Sequence, residues 1–197
     1  MEIKEINLPK RKINSIILCA FFIFLMQVRP AFANDSDQQK INSAFEILKS
    51  YGYQKNVDIL DGQNYTKKPV SIVFKNLADV DFAYAKFYAI TATDNDGNLY
   101  ILINEDLKNS DNRALACLLL HESNHCRNKG SDNIAEEMTA HTQEVTLYIR
   151  VLAENETLKD KVNDRLVLRL NKLKKIYDDA IRAYITNNTN YVNYLKQ

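Results

Sequence analysis

The sequence predicts an α+β fold: a small antiparallel sheet with a β-hairpin, packed on a buried helix and followed by a helical C-terminal half. Three observations predict it. β-Branched and aromatic runs at residues 87–93 and 99–103 flank Asp94-Asn95-Asp96-Gly97, a strong hairpin signal. The run 114–120 is apolar nearly all round, the mark of a helix in the interior. From Ser110 onward the chain reads as helical to its end, with apolar residues recurring at spacings of three and four.

The first element is not expected to belong to the fold. Lys10, Arg11 and Lys12 precede an apolar run over 16–26, and Ala31-Phe32-Ala33 supplies a small-x-small site. This is the three-part pattern of a secretory signal peptide, with cleavage expected after Ala33. The run is too short for a comfortable membrane span, which needs about 20 residues, and the competing expectation is an uncleaved N-terminal anchor. The expected organisation is a signal peptide over 1–33 and one domain over 34–197. Such a protein is exported, to a periplasm or to the medium, with no stable membrane insertion after cleavage.

Within the domain, Ile41, Phe45 and Leu48 predict an amphipathic helix over 35–51. Residues 52–68 are turn-rich and polar, with Asp61-Gly62 as a breaker. A short strand is expected over 70–74, ahead of the hairpin. Ser110 or Asp111 can cap a helix over 112–128. Gly130, Ser131 and Asp132 end it and cap the next helix, over 133–154. A third helix carries Leu158, Val162, Leu166, Leu170, Leu173 and Tyr177. The tail, 187–197, is rich in Asn and Tyr.

Charge and cysteine usage narrow the partners. Without residues 1–33 the chain keeps 21 basic and 23 acidic residues. A net charge near −2 argues against nucleic acid as a partner. No block of Lys or Arg suggests an electrostatic membrane patch. The two remaining cysteines, Cys117 and Cys126, lie nine residues apart on one expected helix. The rise between them is about 13 Å, whereas a disulfide needs Cα atoms within about 7 Å. Both are expected as small buried residues.

Residues 121–125 read His-Glu-Ser-Asn-His and hold two of the three histidines of the chain. At i and i+4 of a helix the two rings stand on one face, where both can ligate one metal ion. Glu122 lies beside them and can reach a metal-bound water. This is the HExxH arrangement of zinc peptidases. A catalytic zinc needs a third protein ligand and an open position. The longer HExxHxxGxxH pattern is absent, because position 128 is Asn and position 131 is Ser. Downstream candidates are Asp132, Glu136, Glu137, His141 and Glu144. On the next helix, Ile134, Met138, Val145, Ile149 and Leu152 share one sector, read as the core face. That phase points Glu136 into solvent and puts Glu137 on the flank of the core face, making Glu137 the preferred ligand. His141, closer to the centre of that face, is its rival.

HExxH followed on the next helix by Glu137-Met138-Thr139-Ala140 resembles the gluzincins, zinc peptidases whose third ligand is a downstream glutamate. The short separation is similar to that of small single-domain members, the minigluzincins. The resemblance implies Zn²⁺ on His121, His125 and Glu137, with Glu122 as general base toward a peptide or protein substrate. It also implies an edge strand before the active-site helix that aligns the substrate, matched here by residues 98–104 with Tyr100 and Leu102. Many gluzincins carry Asp after the second motif, where this chain has His141. His141 and Tyr148 are candidates to orient a ligand or stabilise an oxyanion. The competing expectation is a non-catalytic, extracytoplasmic helical interaction module in which zinc is structural or absent.

Overall fold

Turn and capping chemistry places most of the elements close to where local sequence puts them. A computed structural model of the chain describes residues 35–127 and 133–187, with 184–187 described by backbone alone. The order is α1 (Asp35–Ser50), α2 (Gln54–Leu60), β1 (Ser71–Lys75), β2 (Ala89–Thr93), β3 (Leu99–Asn104), α3 (Asn112–Arg127), α4 (Ile134–Glu154) and α5 (Arg165–Asn187). The expected signal segment, the Gly130–Asp132 turn and the tail beyond 187 lie outside the described residues. The fold is α+β with a helical C-terminal half. Among the described residues, no helix is long and apolar enough to cross a membrane.

The sheet is mixed, not antiparallel. Its order is β1-β3-β2. β2 and β3 form the expected hairpin, closed where Gly97 adopts φ +76° and the Asp94 carboxylate accepts from the N–H groups of Asp96 and Asn98. β1 pairs parallel to β3, with Ser71 opposite Tyr100 and Lys75 opposite Asn104. This corrects the reading of residues 98–104 as an edge strand. β3 is the central strand, and Leu99, Ile101, Leu102 and Ile103 are all buried. Tyr100 and Leu102 therefore have no free backbone edge to offer. The continuous apolar run of β3, without alternation, is what a strand covered on both faces requires.

Two further expectations change. Residues 52–68 are not all turn: 54–60 form α2, which sends Val57, Ile59 and Leu60 into the core. The last helix starts at Arg165, not near Leu158. Leu158 is buried in a 3-10 turn, Val162 is exposed, and Asp164 caps α5 by accepting from the N–H groups of Leu166 and Val167.

α3 is the axis of the molecule. Every residue from Ala114 to Leu120 is buried. α3 packs against α1, α2, α4, α5 and β2. At about 25 cal/mol per Å² of apolar surface, a helix covered on all sides contributes more to the core than an amphipathic one. Its N-terminus is held by Asp111, whose carboxylate accepts from the Arg113 backbone and side chain and from Lys161. The Asp111 N–H in turn donates to Asp164, so the caps of α3 and α5 are joined. Cys117 and Cys126 are free and buried, as expected.

Burial opposes the Asp111 charge, but the bonds from Arg113 and Lys161 outweigh it and hold its carboxyl well below the usual range. A depressed folded-state pKa stabilises the fold above the unfolded value, about 3.9, and loses that contribution as pH falls. Asp111→Asn is therefore expected to cost about 1–2 kcal/mol at pH 7. The gap to wild type should narrow toward pH 3. Urea denaturation at the two pH values checks both the size and the trend.

Candidate metal centre

The last two turns of α3 carry five polar residues into a buried environment, and each finds a different neighbour. Ser123 accepts from Asn56 of α2 at 2.8 Å and donates to the Leu120 carbonyl. Asn124 donates to Leu120 and to Gln143 of α4. Glu122 accepts from the hydroxyl of Thr91 on β2 at 2.8 Å. His121 and His125 face α4. Burial without such partners would cost a few kcal/mol per group, so the neighbours of α3 are what allow HExxH to lie inside the fold.

The two imidazoles converge on one point. His121 Nε2 and His125 Nε2 are 3.2 Å apart. Glu137 offers Oε1 at 3.4 Å from His125 Nε2 and Oε2 at 3.8 Å from His121 Nε2. These three donors can hold a metal ion. For bonds of about 2.0–2.1 Å, two ligands of a tetrahedral zinc stand about 3.3 Å apart. The separations of 3.2 and 3.4 Å match that edge, and the approach of the second Glu137 oxygen to His121 is wider. His125 Nδ1 faces Glu136 Oε1 at 3.3 Å, which assigns the proton to Nδ1 and leaves Nε2 as a lone pair. His121 Nδ1 lies 3.3 Å from Glu144 Oε2, an ion-pair approach without hydrogen-bond alignment, and is otherwise unpartnered. Two imidazole lone pairs at this distance repel each other unless a cation or a proton lies between them. Glu137 is 43% exposed, so the fourth side of the group faces solvent.

Behind the histidines stands Glu144. It is fully buried and pairs with Arg169 of α5 through both oxygens. His141 Nδ1 also reaches it, at 3.2 Å. Burial opposes its ionisation, but His121, His141 and Arg169 together hold its carboxyl well below the usual range. Burial likewise disfavours the imidazolium of His121, and Glu144 outweighs this and raises its pKa. His121, His141 and Glu144 form a second possible metal group. It is the weaker of the two, because the guanidinium of Arg169 already neutralises the carboxylate and a cation there would meet that charge.

The helix phase expected for α4 is corrected. Ile134 is 81% exposed and Met138 65% exposed. The buried face is Glu136, Ala140, Glu144, Val145, Leu147, Tyr148 and Val151; of the expected core residues Val145 is buried and Leu152 partly so. Glu136, expected in solvent, is only 6% exposed and supports His125. Glu137 and His141 nevertheless reach the site. Tyr148 does not: its ring is buried and its hydroxyl donates to Asn171 of α5, while burial pushes its pKa up to about 12. α4 is capped by Asn133, which accepts from the Glu136 N–H. Asp132 lies outside the described residues. Sequence reasoning missed Arg169 and the supporting roles of Glu136 and Glu144. The available signal was Arg169 itself, one charge inside the run Leu166-Val167-Leu168-Arg169-Leu170.

Removing one partner of a buried ion pair costs about 3–5 kcal/mol, whereas replacing both by apolar residues is often neutral. Arg169→Met alone should therefore lower the melting temperature sharply, and Arg169→Met with Glu144→Met should recover most of the loss. The double variant should still bind zinc about 10–100-fold more weakly, because His121 loses its support. Thermal denaturation and zinc titration of the two variants separate the effects.

Comparison with protein-family models, with curated proteins and with solved structures found no match to this chain.

Proposed function

We propose that this chain is an exported zinc-dependent peptidase of the gluzincin type, with His121, His125 and Glu137 as ligands and Glu122 as general base. The observation that carries the reading is the convergence of the three donors: the two imidazole Nε2 atoms stand a tetrahedral zinc edge apart, Glu137 brings an oxygen within 3.4–3.8 Å of each, and one side of the group is open. A structural zinc is closed by a fourth protein ligand, and no group of four is found among the described residues.

Bound zinc would supply the Lewis acidity that polarises a peptide carbonyl and acidifies water. The protein supplies the remaining parts. Glu122 accepts a proton from the attacking water and delivers it to the departing amine as the C–N bond breaks. β2 takes over the aligning role expected of residues 98–104. It is a sheet edge among the described residues and lies against α3. An extended peptide can add to such an edge, with backbone hydrogen bonds setting its register. His141 stands at the rim, its Nδ1 held by Glu144 and its Nε2 3.7 Å from Glu137 Oε2. As the imidazolium it can donate to an oxyanion.

Glu122→Gln should abolish peptide hydrolysis while bound zinc stays near one per chain. Metal analysis beside a protease assay checks this, and undiminished turnover would remove Glu122 from its role. His141→Phe should lower kcat on the order of 10²-fold with zinc retained, the usual loss on deleting one oxyanion donor. An unchanged kcat would leave His141 only its contact with Glu144.

A further inference from the structure

Thr91 occupies two positions at once. Its hydroxyl donates to Glu122 Oε2 at 2.8 Å. Its backbone lies in β2, and the register there fixes which way its N–H and C=O point. Asn104 N–H donates to the Tyr88 carbonyl, and Asp94 N–H donates to the Asn98 carbonyl. In an antiparallel pair, bonded and non-bonded positions alternate. Residues 88, 90, 92 and 94 thus turn their backbone groups to β3, and Ala89, Thr91 and Thr93 turn theirs to the open edge. Thr91 shows its amide and carbonyl to that edge while its side chain reaches α3.

We propose that Thr91 is the positioning residue for Glu122, and that it ties the carboxylate to the strand on which an extended peptide is seated. This inference rests on the peptidase reading above. Glu122 is buried, and among the described residues Thr91 is the one hydrogen-bond donor to its side chain. A glutamate with three rotatable side-chain bonds needs such an anchor to keep one oxygen directed at the reacting water. With Oε2 engaged by Thr91, Oε1 is left to accept the proton. The carboxylate and the substrate are then registered against the same residue, so a shift of β2 moves both together.

The arrangement separates two kinetic effects. Thr91→Val keeps the shape, the strand and the backbone groups at the edge but removes the donor. Thr91→Ser keeps the donor. With zinc-loaded protein and a peptide that the wild type cleaves, Thr91→Val should lower kcat roughly 10- to 100-fold, the range for losing one hydrogen bond to a charged group. KM should stay within about threefold, since edge pairing is untouched. Thr91→Ser should restore most of kcat. A crystal structure of Thr91→Val should show the Glu122 carboxylate displaced from its wild-type rotamer with zinc in place. An unchanged kcat and an unmoved Glu122 in Thr91→Val would overturn the inference while leaving the peptidase reading intact. A rise in KM alone, or failure of Thr91→Ser to rescue, would also overturn it, reducing Thr91 to a substrate contact or a packing residue. A zinc-loaded wild type that cleaves no peptide would overturn the peptidase reading, and the role of Thr91 with it.

Discussion

The carboxylate of Glu144 is the point on which the interior of this molecule is organised. It is buried, charged and shared: Arg169 neutralises it, His141 is anchored to it, and His121 is set against it. Three helices meet there, because His121 belongs to α3, Glu144 to α4 and Arg169 to α5. Isolated in a low-dielectric interior, such a charge would be ejected or neutralised. Surrounded by a guanidinium and two imidazoles, it instead fixes the relative placement of three helices. The direction of His121 Nε2, and so the convergence on His125 and Glu137, follows from that placement.

The second constraint is the way α3 disposes of its polar residues. A helix covered on every side cannot carry five of them in two turns without a neighbour for each. α2 answers Ser123, α4 answers Asn124 and both histidines, and β2 answers Glu122. The neighbours are therefore not interchangeable packing. Each holds one side chain of the motif in one rotamer, and the sheet reaches Glu122 through the hydroxyl of Thr91.

Much of this was legible in the sequence wherever the signal was local. Asp94 to Gly97 marked the hairpin, Asp111 marked the start of α3, and the i, i+4 spacing of His121 and His125 put two ligands on one face. What was not legible depended on distant partners. The parallel pairing of β1 moved β3 from edge to centre, and nothing in residues 98–104 alone states which strand lies on the far side. The phase of α4 departs from expectation in its first two turns, where Ile134 and Met138 are exposed among the described residues. Glu136 and Glu144 point inward instead, which is tolerable only because His125 and Arg169 stand opposite. A rule that sends carboxylates to water cannot anticipate a partner supplied from 25 residues further on, as Glu144 and Arg169 are.

β2 reads Ala-Ile-Thr-Ala-Thr, with no charge and no proline. Proteins commonly guard a free strand edge with lysine, proline or a bulge, because an unguarded edge pairs with any strand it meets. Here none of those guards is present, and five residues of strand offer at most a short ladder. The same backbone that could take up an extended segment of another chain could take up β2 of a second copy. Shortness is then the main defence against self-association, and it sets a practical limit on how far this edge can be lengthened before solubility suffers.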